Sequence, residues 1–155
     1  MKELDNGKID GFDHRILEEL SRDGRLPVTE LAKRVGLSKS PCQVRLKRLV
    51  EEGYILGFRA VLNPEKLGRE HVAYTAVTLS DTTEAALTAF NAAVLKVPEV
   101  ELCHMIAGPF DYLLKVRTAD IKAYRRVLGE TLTALPHVSS TSTYVAMEAV
   151  KDRYE

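Results

Sequence analysis

Apolar residues in the first third of the chain recur at helical spacing. Phe12, Ile16, Leu17 and Leu20 predict a helix from Asp10 to Leu20, with Asp13 placed to cap it or to oppose its dipole. The nine residues before it are polar and contain glycine, which predicts a loose start. Thr29 then offers a capping oxygen to ELAKRV, whose Leu31, Ala32 and Val35 point inward, and Gly36 ends the helix as a residue that takes positive φ without strain. Ser38 offers a second cap, and Pro41 falls in a first turn, where a missing N–H costs nothing. A further helix is predicted over about Ser40–Glu52, stopped by Gly53. Cys42, Leu46, Leu49 and Val50 share its packed side, leaving Lys39, Ser40, Gln43, Val44, Arg45, Lys47 and Arg48 to the other faces.

Beyond Gly53 the pattern changes. GYILGFRAVL, from Gly53 to Leu62, alternates and is β-rich, so a short hairpin or linker strand is expected before Asn63 and Pro64. From His71 the order reads strand (71–79), helix (84–97), strand (100–107), strand (111–118), helix (121–135), strand (138–147). Gly108, Pro109 and Phe110 form the turn between the middle strands, and Pro136 ends the second helix. A βαββαβ order predicts a ferredoxin-like antiparallel sheet with both helices on one face. The fold class is therefore α+β: an N-terminal winged helix-turn-helix domain, 1–63, and a C-terminal ferredoxin-like domain, 64–155. Tyr74, Ala76, Leu102, Leu114 and Tyr144 or Val145 are expected to leave an apolar surface on the helix-free face, which predicts a homodimer.

Charge narrows the function. The chain has 22 basic and 22 acidic residues, yet from Arg25 to Arg48 seven Lys or Arg face a single acid, Glu30. Positive charge concentrated on a helix-turn-helix segment is what a duplex polyanion rewards, so double-stranded DNA is the expected partner. A plain solvated face is the competing reading, and the coincidence of turn glycine, caps and basic face disfavours it.

Other classes find little support. His14, His71, His104 and His137 are scattered, and neither a nucleophile–base set nor a Gly-rich phosphate loop is present, so no catalytic residue, metal site or cofactor is expected. Cys42 and Cys103 form no CxxC pair and read as small buried hydrophobes. Neither a signal peptide nor a membrane-length apolar run stands out, which predicts a cytoplasmic protein with no membrane partner. An architectural DNA-compacting protein without an effector remains the main alternative to a regulator.

Two motif sets, in order, resemble the Lrp/AsnC (feast/famine) transcription regulators over nearly the full length. They are IDGFDHRILEELSRDGRLPVTELAKRVGLSKSPCQVRLKRLVEEGYILGFRAVLNPEKLG and, downstream, ELCHMIAGPFDYLLKV with YRRVLGETLTALPHVSSTSTYVAMEAVK. The likeness is greatest to the leucine-responsive branch, which includes activators of proline or branched-chain amino acid catabolism.

The resemblance implies roles for particular residues. The second motif helix would enter the major groove, with Ser38 and Pro41 at its start, Lys39, Ser40, Gln43 and Val44 facing base edges, and Arg45, Lys47 and Arg48 gripping phosphates. It also implies an effector pocket between subunits, formed by Met105, Ile106, Gly108, Phe110, Asp111 and Tyr112, opposed by Thr133, Leu135, Val138 and Ser140. Asp111 would pair with an α-ammonium and backbone N–H groups near Gly108 would take the α-carboxylate. With Met105, Leu135 and Val138 as apolar walls and no strong cation, a neutral amino acid is the expected effector. On the residues alone, GPFDY reads rather as a hairpin turn whose Asp caps the backbone. Dimers of this family assemble further, so a higher oligomer, an octamer, is expected.

Overall fold

The computed structural model describes residues 9–152, so nearly all of the stretch expected to be loose lies outside the described residues. The chain divides into two compact units, Met1–Ala60 and Val61–Glu155.

The first unit holds α1 (Gly11–Arg22), α2 (Val28–Val35) and α3 (Lys39–Glu51). Asp10, not Asp13, is the N-cap of α1: its carboxylate accepts from the Phe12 and Asp13 N–H groups at 2.9 and 3.0 Å. Asp13 returns the bond to the Asp10 N–H at 2.9 Å, a reciprocal capping box. The Thr29 cap is not formed. Pro27 sits in the N-cap position of α2 with φ already near −61°, and its carbonyl accepts from Glu30 and Leu31, so the helix begins before Thr29. Gly36 closes α2 in the left-handed region at φ 77°, where a side chain would strain. Ser38 does occupy the N-cap position of α3, but its side chain makes no capping bond.

Ile16, Leu31, Ala32, Val35, Cys42 and Leu49 form the core of this unit. Val50 does not join them; it is 42% exposed, at the rim of the packed stripe. Residues 56–63 form no strand. Alternation supplies side-chain faces, but a strand also needs a laddered neighbour, and no described segment provides one. Gly57, at φ 153°, breaks the regular extension as well.

The second unit runs β1 (His71–Leu79), α4 (Glu84–Val94), β2 (Val100–Met105), β3 (Tyr112–Thr118), α5 (Ile121–Glu130), a 3₁₀ turn (Leu132–Ala134) and β4 (Val138–Val145). Its sheet has the order β2-β3-β1-β4, with every neighbour antiparallel. α4 stops at Val94, short of the expected Val97; the chain tightens there, with the Lys96 and Val97 N–H groups donating to the Ala93 and Val94 carbonyls at 3.1 Å, before Pro98. α5 likewise ends at Glu130, and the tighter turn that follows buries Leu132.

Register decides which residues face the helices. Ala73, Val77 and Leu79 of β1 join Tyr112, Leu114 and Val116 of β3 in a core with Phe90, Val94 and Tyr124. Leu114 is therefore a core residue, opposite Thr75 and Cys103, rather than part of the open face. Val145, opposite Ala73, also lies on the helix side, while Tyr144 pairs with Tyr74 on the open side together with Ala76 and Leu102. That open face is less apolar than expected. Lys115 and Arg117 stand on it, Lys115 reaching Asp152 at 2.5 Å and Arg117 reaching Glu101 at 2.8 Å. Residues 61–65 and 146–152 border a hollow of about 980 Å³ over this face.

Candidate nucleic-acid interface and effector site

The buried stripe of α3 fixes which way its remaining side chains point. With Cys42 and Leu49 packed inward, Lys39, Ser40, Pro41, Gln43, Val44 and Lys47 are exposed together, and Ser38 is exposed just before them. Val44 is 69% exposed, an unusual position for a valine on a helix that has a core to pack against. Lys47 has an intrahelical partner in Glu51 at 3.6 Å, but both side chains are well exposed, and such pairs hold weakly.

Arg45 and Arg48 behave otherwise. They were expected to reach outward for phosphate; instead both turn back to α1. Asp13, only 1% exposed, accepts from Arg45 Nη1 at 2.9 Å through Oδ1 and from Arg48 Nη2 at 2.6 Å through Oδ2. Asp10 Oδ2 also takes Arg45 Nη1 at 2.7 Å, and the Arg45 guanidinium lies 5.5 Å from the Phe12 ring centre. The physical reason is burial: a carboxylate removed from water must be paired, and two arginines one helical turn apart can serve one acid. Burial pushes the Asp13 carboxyl upward, but the Asp10 N–H, Arg45 and Arg48 outweigh it and hold it below its ordinary value. Arg34 is similarly engaged, with Glu19 at 3.1 Å and Glu30 at 3.3 Å.

Asp13 carries a role beyond the capping that its place in the first helical turn suggests. Its signal was an acid within one turn of the core residue Ile16, a position that calls for a cation from elsewhere in the fold.

The segments expected to form the effector pocket flank the C-terminal end of β1. The 106–111 turn lies on one side, where Ile106 N–H donates to the Asp111 carbonyl at 2.8 Å and Asp111 N–H to the Val77 carbonyl at 2.9 Å. On the other side Val138 pairs with Leu79 and Ser140 with Thr78. Asp111 Oδ2 accepts the Leu79 N–H at 2.7 Å, so the carboxylate does cap the backbone, as the turn composition alone suggests. Tyr112 and Leu135 cannot be pocket walls as placed. Tyr112 is 2% exposed and stacks on Phe90 with ring centres 4.3 Å apart, and Leu135 is buried in the same core. Met105, Gly108, Thr133 and Ser140 are exposed, while Ile106, Phe110 and Val138 are half-buried. Among the described residues, no helix is long and apolar enough to cross a membrane.

Comparison with known proteins accounts for both halves. Residues 9–55 match a winged helix-turn-helix DNA-binding family and residues 72–155 the Lrp/AsnC ligand binding domain. A proline dehydrogenase transcriptional activator from Rhizobium radiobacter is 68% identical over 144 residues, covering 93% of this chain and 92% of the relative. The leucine-responsive regulatory protein of Salmonella typhimurium is 48% identical over 143 residues, 92% of this chain and 87% of its own. A transcriptional regulator from Neisseria meningitidis, solved as a complex with L-Met, superposes with a TM-score of 0.88 at 33% identity, covering 93% of each chain. A cationic helix-turn-helix unit joined to this four-stranded ligand-binding domain is the two-part plan of one group of bacterial gene regulators, and the chain belongs to the Lrp/AsnC family of transcriptional regulators.

Proposed function

We propose that this chain is a cytoplasmic regulator of amino acid catabolism that reads promoter DNA with α3 and answers to a small neutral amino acid held between subunits. The carrying observation is the exposed face of α3, on which Ser40, Gln43, Val44 and Lys47 project from a helix whose Cys42 and Leu49 are packed into the core. Gln43 suits the paired donor and acceptor of adenine, and Val44 the thymine methyl. Lys39 and Ser40 reach base edges beside them, and Lys47 supplies a mobile phosphate contact. Ser38 and Pro41 bring the start of the helix to the backbone of the duplex.

Two subunits pair through the open sheet face and present two such helices, matching a two-fold operator; the dimers associate further into an octamer. The effector sits where the 105–111 segment meets Thr133, Val138 and Ser140. Leu79 occupies one oxygen of Asp111, and the other receives the α-ammonium. The L-Met complex of the Neisseria meningitidis regulator supports the effector class, and the name of the Rhizobium radiobacter relative, a proline dehydrogenase activator, supports a role in amino acid catabolism.

Calorimetric titration of the purified protein with the twenty amino acids, followed by promoter-fragment anisotropy across a salt series, tests the proposal. Lys47→Ala is expected to lower the salt slope by about one unit on every duplex, whereas Gln43→Ala costs about 1–3 kcal/mol at its own base position only. Asp111→Asn, which keeps an acceptor for Leu79, should abolish the amino acid response and leave DNA binding intact. Binding of DNA with no heat from any amino acid would instead favour an effector-independent architectural protein.

A further inference from the structure

We infer that Asp13, supported by Asp10, is a positioning residue for DNA recognition: it holds the Arg45 and Arg48 guanidinium groups in fixed orientations and thereby exchanges gross affinity for discrimination. The inference rests on the proposed reading of α3 as the DNA-contacting helix.

Three observations carry it. The acid is buried while its partners are not: Asp13 is 1% exposed, whereas the Arg45 and Arg48 side chains keep 27% and 39% of their surface. Each guanidinium therefore spends its inner edge on the carboxylate. An arginine carries five N–H donors in a rigid fork, so each guanidinium keeps N–H groups beyond those given to the acids, their direction set by the bond behind them, although the Nε of Arg48 is itself buried without a partner.

Arg45 is also fixed more than once. Its Nη1 bridges Asp10 at 2.7 Å and Asp13 at 2.9 Å, and its guanidinium carbon sits over Phe12. Nearby Lys47 is the contrast, on a flexible stem with one exposed partner. A cation held in place loses little rotamer freedom when it meets a phosphate or a base edge, and it cannot swing to follow an ill-placed one.

The carboxylates also cancel local charge. Asp10 and Asp13 offset Arg45 and Arg48, so the cluster attracts a generic polyanion less than its arginine content suggests. Weak non-specific attraction combined with well-aimed donors is the combination that raises the ratio of specific to non-specific binding.

The test compares the full-length protein with Asp13→Asn, Asp13→Glu and Asp10→Asn on a specific promoter fragment and on a random duplex of equal length, across a salt series. Asparagine at either position keeps an oxygen for the capping box and removes the charge. Asp13→Asn is expected to bind the random duplex more tightly, with a salt slope steeper by about one unit, and to lose specificity by a factor on the order of ten. Asp13→Glu should restore the slope, and Asp10→Asn should move both quantities in the same direction by less. A role confined to clamping α1 onto α3 predicts lower thermal stability with the slope and the ratio unchanged; that result overturns the inference. If Asp13→Asn does not fold, an unchanged slope and ratio in Asp10→Asn overturn it equally. Failure of the unmodified protein to prefer the promoter fragment would instead refute the underlying reading of α3.

Discussion

At the scale of single residues, Asp13 concentrates more consequence than any other side chain of the first unit. It closes the capping box of α1, pairs two arginines of α3 and is almost wholly out of water. Replacing it with alanine removes the partner of Arg48 and one of the two acids of Arg45, at a cost of about 1–3 kcal/mol, because both arginines keep some contact with water and Arg45 keeps Asp10. Because its carboxyl is held below the ordinary 3.8, folding favours the ionised form. The stability it contributes is complete above about pH 4 and disappears as pH falls through the depressed value. Thermal melts of the protein and of Asp13→Asn should begin to approach each other near pH 4 and close further as pH falls through the depressed value; a constant gap across the range would contradict this assignment. Ser40, Gln43, Val44 and Lys47 are legible as outward residues in the sequence because helical periodicity is local. The same periodicity does not reveal the fate of Arg45 and Arg48, whose partner Asp13 lies 32 and 35 residues away. Tyr112 and Leu135 turn inward for separate reasons: the face Tyr112 takes depends on the register of its strand, and Leu135 follows a 3₁₀ turn where the sequence pattern predicts a continuing helix.

At the scale of elements, His71–Leu79 is legible to its ends, since β-branched and aromatic residues fill a run closed by Ser80 and Asp81. The turn at Gly36 is equally plain, because few residues other than glycine take φ 77° cheaply. A Cβ added there would meet no atom within 4 Å, so Gly36→Ala isolates the backbone term, about 1 kcal/mol. Urea unfolding followed by helical circular dichroism should show an earlier loss of the helical unit; an unchanged transition would mean that the turn relaxes to another conformation. The 56–63 segment shows the opposite case, in which pattern alone was insufficient: Leu56, Phe58, Val61 and Leu62 alternate imperfectly, all stay more than half exposed, and a ladder needs a second strand. Thr29 was a plausible cap that Pro27 pre-empted by starting the helix earlier.

At the scale of the whole molecule, the proposed assembly depends on the open sheet face. Tyr144 is 60% exposed beside Tyr74, so if two copies pair through this face a carboxylate introduced there would be buried in the contact. Tyr144→Glu should shift sedimentation toward smaller species and weaken operator binding in parallel, whereas an unaltered sedimentation profile would move the subunit contact elsewhere. If the effector binds between subunits, its effect on operator affinity must equal the operator's effect on effector affinity, a coupling of typically about 1–3 kcal/mol. The sequence holds two cysteines, and the fold allots one to each unit: Cys42, with no exposure, amid the three helices, and Cys103 half-covered on β2. Burial pushes both thiols above their ordinary value, so both should react slowly, and fully buried Cys42 only when its surroundings loosen. Every molecule thus carries a pair of internal clocks. The pace at which a maleimide dye consumes each sulfur times the breathing of the helical half and of the sheet half separately, and operator DNA should slow the first clock while an amino acid slows the second.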